Sequence, residues 1–137
     1  MASFVLSHEL KSHFLNLYSI ALSDTEVDVT ELEFLYKLGR ERGVSKDEIE
    51  KVLLQPHNIK FHVPADMFEK IDNLYDFARL ILADGRVDEF EIQALRKFCL
   101  KFGFEKKNVN ALSDFLVEEA GKGTDKAKIF EIVRENL

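Results

Sequence analysis

A short acidic turn occurs twice in this chain, each time between two stretches with helical periodicity. The second copy is ADGRVDEFE at residues 83–91, and the first is SDTEVDVTE at residues 23–31. Between residues 22 and 43, eight pairs are identical at the same offset of 60 residues, where chance would give about one or two. These pairs are Leu22/Leu82, Asp24/Asp84, Val27/Val87, Asp28/Asp88, Glu31/Glu91, Leu35/Leu95, Lys37/Lys97 and Gly43/Gly103. The repeat predicts two helix–turn–helix units related by a pseudo-twofold axis.

Seven segments carry apolar residues at three- and four-residue steps, as one buried face of an α-helix requires. Capping residues mark several expected helix starts: Ser7 for the first, a Ser45–Glu48 capping box for the third and Thr124 for the last. We therefore predict an all-α protein, a single-domain bundle of about seven helices. Its predicted parts are two repeat halves at about 8–54 and 65–119, a connector at 55–64 and a C-terminal helix at 124–137.

The connector interrupts the helical pattern. Pro56 and Pro64 bracket it, and proline disfavours a helical conformation in the residue before it. Apolar residues alternate at Ile59, Phe61 and Val63, as they do along one face of a strand. This segment is therefore predicted to be extended and to contain one short strand.

Composition and charge narrow the class of protein. The 137 residues suffice for one buried core. A net charge of −6 would repel a phosphate backbone, so no nucleic acid is expected as a partner. A single cysteine, Cys99, excludes an internal disulfide and fits a reducing compartment, and it follows Phe98 on an apolar stripe, which predicts a packed thiol. The first residues lack the pattern of a signal peptide, and we expect a cytoplasmic protein.

Helix capping explains much of the acidic turns. Asp88 is placed to be the N-cap of the following helix, with Glu91 at its third position, and Asp28 and Glu31 repeat this arrangement. Gly85 suits the positive φ angle at which many helices end. Negative charge is also favoured at a helix amino end. Capping alone leaves no role for Asp84 in the second turn or for Asp24 and Glu26 in the first.

The surplus carboxylates suggest a second interpretation, a site for a hard cation such as Ca²⁺ or Mg²⁺. The pattern is not an EF-hand, because the early ligand positions of such a loop would fall on Leu80 and Leu82. Any site is therefore expected to be weak and rich in water. The candidate ligands are Asp84, Asp88 and Glu91 in the second turn and Asp24, Asp28 and Glu31 in the first.

The histidines do not form a metal or catalytic signature. His8 and His13 are five residues apart, which places them on different faces of a helix, whereas zinc-protease helices space them by four. His57 and His62 lie in the connector and are expected at the surface. The sequence contains no glycine-rich phosphate loop and no Ser/His/Asp set, so enzymatic activity is not expected.

The doubled pattern Ala-Asp-Gly-x-Val-Asp-x-x-Glu in an all-α domain of this size resembles the tellurite-resistance TerB-like family, over about Leu10–Leu116. The resemblance implies a bundle of about seven helices with internal pseudo-symmetry and an acidic surface. It also implies a bacterial stress response, divalent-cation binding through the acidic motif, and association with stress-response or membrane-complex proteins. The chain departs from the pattern at Thr25, which stands where the second turn has Gly85. A β-branched residue such as threonine is unfavourable at the positive φ angle that a glycine can adopt.

Two functions follow as expectations. The first is a non-enzymatic TerB-like module that binds a divalent cation weakly and docks onto a protein through its acidic turns. The alternative is a protein-interaction adaptor in which the turns are only helix caps. This alternative predicts an exposed apolar patch around Phe61, Phe68 or Phe90, and either a homodimer or a complex with a partner protein.

Overall fold

The structure, a computed structural model, describes residues 7–23, 29–83 and 85–136. Within these ranges the chain forms seven α-helices and no β-strand, which confirms the predicted all-α bundle. None of these helices has the length and apolar character needed to cross a bilayer. The helices are α1 (His8–Ala21), α2 (Val29–Glu41), α3 (Lys46–Leu54), α4 (Met67–Ile81), α5 (Glu89–Lys101), α6 (Lys106–Lys122) and α7 (Lys126–Asn136).

The connector lacks the strand that alternation predicted. It begins with a 3₁₀ turn at Pro56–Asn58 and continues without regular structure to α4. The Phe61 ring packs on the rings of Phe98 and Phe102, while the N–H of His62 donates to Oγ of Ser12 at 2.9 Å. Side-chain contacts with α1 and α5 therefore hold this segment in place. The Ser12 hydroxyl accepts from the N–H of His62, a backbone donor that in a β-sheet would bind a neighbouring strand.

Local capping signals located most helix starts correctly. Ser7 caps α1, and Ser45 with Glu48 forms the expected capping box on α3. The prediction for the last helix was wrong by one residue, because Asp125 and not Thr124 accepts the first-turn N–H, from Ala127 at 3.3 Å.

Helix boundaries recur at the offset seen in the sequence. Both α2 and α5 contain 13 residues and start 60 positions apart. The ends of α1 and α4, and the starts of α3 and α6, differ by the same 60 positions. After α2, the N–H of Val44 donates to the carbonyl of Gly39, and after α5 the N–H of Phe104 donates to that of Cys99. These boundaries recur at the predicted offset, while the internal repeat and its pseudo-twofold axis stay predictions.

Helix α4 forms the centre of the bundle and packs against α1, α2, α5, α6 and α7. A helix covered on so many sides is expected to be apolar all round. The rings of Phe77, Phe98 and Phe102 pack together with centroids 5.1–6.3 Å apart. Among the fully buried residues of α4 one is charged, because Asp76 is 0% exposed. The groups that compensate its charge bring several elements together.

Candidate functional site

A group of charged side chains surrounds Asp76, and we call it the charge cluster: His13, Arg42, Asp72, Asp76 and Lys126. Nε2 of His13, on α1, lies 2.9 Å from Oδ2 of Asp76. Arg42, in the turn after α2, donates to the same oxygen through Nε at 3.1 Å and also through Nη2. Lys126, the first residue of α7, donates to Oδ1 at 3.0 Å. The cluster thus connects α1, the α2–α3 turn and α7 to the central helix.

The charges of the cluster balance. Asp72 accepts from Nη2 of Arg42 at 2.9 Å and also from Lys126, so two carboxylates face two cations. Burial alone would raise the pKa of Asp76, but the hydrogen bond with His13 and the nearby positive charges outweigh it and hold that pKa well below its usual range. A buried charge is tolerated only with such partners, because its desolvation costs several kcal/mol.

His13 is neutral in this setting. Burial lowers its pKa by more than its contact with Asp76 raises it. Because Asp76 is ionised and can only accept, the proton of the neutral imidazole is on Nε2, and Nδ1 carries the lone pair. The ring also stacks on Phe77, with centroids 5.3 Å apart. His13 therefore acts as a buried hydrogen-bond donor to the central carboxylate.

An open pocket of about 440 Å³ adjoins the cluster. On one side, Arg79 makes a two-pronged ion pair with Glu41, at 2.9 and 3.0 Å. On another, the hydroxyl of Tyr75 donates to the carbonyl of Thr124 at 2.6 Å, which fixes the turn between α6 and α7. The cations of this pocket are engaged by carboxylates, so the arrangement holds the bundle together. Its lining residues are Glu41, Arg42, Tyr75, Arg79, Ala120, Gly123, Thr124 and Lys126.

The predicted cation ligands have different positions. Asp24, Asp28 and Asp84 lie outside the described residues. Asp88 caps α5 as predicted, since its carboxylate accepts from the N–H of Phe90 at 2.7 Å. Glu31 and Glu91 are both only 2% exposed, which places these equivalent residues in the interior.

The described part of the chain brings no three His, Cys, Asp or Glu side chains into an arrangement that could hold a metal ion. Because three of the six candidate ligands lie outside that part, the Ca²⁺ or Mg²⁺ site stays a prediction. Gly85 has the positive φ expected of it, 79°.

The apolar residues around the second acidic turn are exposed. Phe90 is 64% exposed and Val87 is 54% exposed, and both flank the capping residue Asp88. We call Val87, Asp88, Glu89 and Phe90 the acidic corner. Phe61 and Phe68 are also partly exposed, as the adaptor alternative predicted. Each of these two rings packs against other aromatic side chains, so Phe90 presents the larger apolar surface.

The charge cluster is not among the sites predicted from the sequence. The spacing of His8 and His13 did place them on different faces, since His8 is exposed and His13 is buried. The available signal was Asp76 itself, a single acidic residue within the apolar run Leu74–Ala78. A charge at a core position requires a partner, but the sequence does not name it. The prediction of a packed thiol is confirmed, because Cys99 is fully buried.

Comparison with known proteins gives no assignment: no protein-family model, no curated protein and no solved structure matches this chain. The resemblance to the TerB-like family therefore depends on the doubled acidic motif alone.

Proposed function

We propose that this chain is a non-enzymatic TerB-like module of a bacterial stress response that docks onto another protein through its acidic corner. The observation that supports this most is the exposure of Phe90 and Val87 beside the acidic residues Asp88 and Glu89. Burying one such aromatic side chain in an interface contributes about 1.5–3 kcal/mol to the free energy of binding. The isolated chain leaves this side chain exposed, so a partner that covers it would gain that contribution.

The partner surface follows from the chemistry of the corner. An apolar contact with an acidic rim is complemented by an apolar segment flanked by lysine or arginine. The net charge of −6 would also accelerate the approach of a basic partner. The proposed partner is therefore a protein segment with apolar anchors and basic neighbours.

Weak binding of Ca²⁺ or Mg²⁺ at the same turn belongs to the proposal. Asp88 and Asp84 would be its main ligands, because Glu91 is buried. Few protein ligands imply a site that keeps several waters and binds weakly. In the competing adaptor account, the acidic turns cap helices and no cation binds.

Calorimetric titration with CaCl₂ and MgCl₂ separates these accounts. The variant Asp88→Asn keeps an N-cap, since asparagine is as good a cap as aspartate, but it removes a charge from the site. Weak heats in the wild type that decrease in Asp88→Asn support the cation. Equal binding heats in both proteins, or no heat in either, would reject the cation site and favour the adaptor account.

Affinity capture from the native bacterium tests docking. The variant Phe90→Asp removes the apolar anchor, and Leu54→Asp makes the same change at a residue that is also highly exposed but outside the corner. We expect one partner retained by the wild type and by Leu54→Asp and lost with Phe90→Asp. Equal capture by all three would contradict docking through the corner. Light scattering of the purified wild type reports whether the partner is a second copy of the chain.

A further inference from the structure

A second exposed aromatic surface lies near the carboxyl end of α5. Phe61 of the connector is 43% exposed, and Val63 is 44% exposed. The Phe61 ring packs on the ring of Phe98, and Nζ of Lys101, the last residue of α5, lies 5.2 Å from the centre of the Phe61 ring. We call Lys60, Phe61, Val63 and Lys101 the Phe61 face.

The Phe61 face is basic, although the whole chain has a net charge of −6. The two segments that supply its residues, 55–65 and 92–104, contain no aspartate and no glutamate. Lys60 and Lys101 are exposed, and neither forms an ion pair with a described residue. The face therefore combines an exposed aromatic ring with positive charge and suits an acidic partner.

The acidic corner has the complementary chemistry. Phe90 is its exposed aromatic residue, and residues 84–90 carry three carboxylates and one guanidinium, which leaves a net negative charge. Joining the two surfaces brings apolar groups together and opposite charges together. The helix dipole favours acidic residues in the first turn of α5 and a lysine in its last turn. The dipole does not require an exposed aromatic side chain beside each of them.

The two surfaces lie at opposite ends of the same helix. Glu89 and Lys101 are the first and last residues of α5, whose 13 residues span about 20 Å at about 1.5 Å per residue. The acidic corner therefore cannot reach the Phe61 face of its own chain. A contact between two different surfaces of identical chains is heterologous, and it continues to further copies unless it closes a ring.

We propose that the acidic corner of one copy docks onto the Phe61 face of a second copy. Phe90 packs against Phe61, while the carboxylates of the corner pair with Lys60 and Lys101. This inference rests on the proposed docking function, because it names the partner of the acidic corner. Each surface offers few apolar side chains and each copy is negatively charged overall, so the contact is weak and reversible.

Sedimentation equilibrium of the purified chain measures self-association in the absence of other proteins. We expect the average mass of the wild type to rise with protein concentration up to about 0.5 mM. The rise should shrink between about 0.05 and about 0.5 M NaCl, because salt screens exposed ion pairs. A wild type that stays monomeric would overturn the inference. Self-association that strengthens with salt would also overturn it, since salt would then only relieve the repulsion between negative copies.

Two variants that each remove one surface test the head-to-tail arrangement. Phe90→Asp removes the anchor of the corner, and Lys60→Glu/Lys101→Glu reverses the charge of the Phe61 face. We expect each variant alone to self-associate at least about tenfold more weakly than the wild type. Their equimolar mixture should form a complex of one copy of each, because one variant keeps an intact corner and the other an intact face. A mixture that stays monomeric would contradict the arrangement.

A matched control separates the face from net charge. Lys37→Glu/Lys128→Glu makes the same change of charge at two exposed lysines outside the Phe61 face. We expect this variant to self-associate nearly as the wild type does. Equal weakening by the two double variants would show that only net charge matters and would reject the face. A monomeric wild type whose Phe90 still captures a different protein would contradict this inference and leave the proposed docking function intact.

Discussion

His13 and Asp76 form a hydrogen bond in the interior of the bundle, with Nε2 2.9 Å from Oδ2 and both side chains almost fully buried. The bond joins α1 to α4, the first helices of the two predicted halves. Arg42 and Lys126 reach the same carboxylate from the α2–α3 turn and from α7. One carboxylate therefore connects four elements of the bundle.

Replacing Asp76 with asparagine should destabilise the fold by about 3 kcal/mol, because the substitution leaves Arg42 and Lys126 near an uncharged partner. Urea unfolding followed by circular dichroism measures this loss. The control is Asp114→Asn, which removes an exposed carboxylate from a surface pair with Arg96 and should change little. An Asp76→Asn protein as stable as Asp114→Asn would show that the cluster contributes nothing net.

Stability should fall when the pH is lowered from about 7.5 to 5. Burial lowers the pKa of His13 in the folded state. The unfolded chain therefore binds a proton, near its ordinary pKa of about 6.5, that the folded chain does not, and the free energy of unfolding decreases by up to about 1.4 kcal/mol per pH unit.

Below about pH 4 the lowered pKa of Asp76 acts in the same direction, since the unfolded carboxylate protonates first. Urea unfolding across this pH range measures both effects. His13→Gln should lose the dependence between pH 7.5 and 5. An unchanged slope in His13→Gln would assign the dependence to another group.

The fold could be predicted from local signals, and the charge cluster could not. Helix periodicity and the caps at Ser7 and Ser45 depend on residues within one or two turns, and these features appear as predicted. His13 and Asp76 are 63 residues apart, and no sequence period connects them. Their pairing results from the packing of α1 on α4, which is a property of the whole bundle.

Two smaller errors have the same origin. The connector alternates apolar residues like a strand, but Phe61 and His62 contact α5 and α1 instead of a neighbouring strand. Thr124 looked like a cap, yet Asp125 has that role, while the Thr124 carbonyl binds Tyr75. In both cases a tertiary contact determines how a locally plausible segment is used.

Two substitutions at Asp88 separate the effect of its capping hydrogen bond from the effect of its negative charge. Asp88→Ala should cost about 1 kcal/mol, because the N–H of Phe90 loses its acceptor, whereas Asp88→Asn should cost only a few tenths. Thermal unfolding of the two variants checks this order. Equal losses would mean that the charge of Asp88, and not its capping bond, contributes the stability.

Cys99 should resist thiol reagents in the folded protein. Burial raises the pKa of its thiol to about 12, so almost no thiolate is present at pH 8. We expect reaction with Ellman's reagent to be slow in buffer and immediate in urea, as followed at 412 nm by the released chromophore. Fast reaction without urea would show that α5 opens readily near its carboxyl end.

The most direct test of the proposed function is photo-crosslinking from the acidic corner in the native bacterium. p-Benzoylphenylalanine replaces Phe90 in one protein and the exposed Leu54 in a control. We predict one crosslinked partner from position 90, none from position 54, and loss of the product when unlabelled wild type competes. No product at position 90, or the same products from both positions, would contradict docking through the acidic corner.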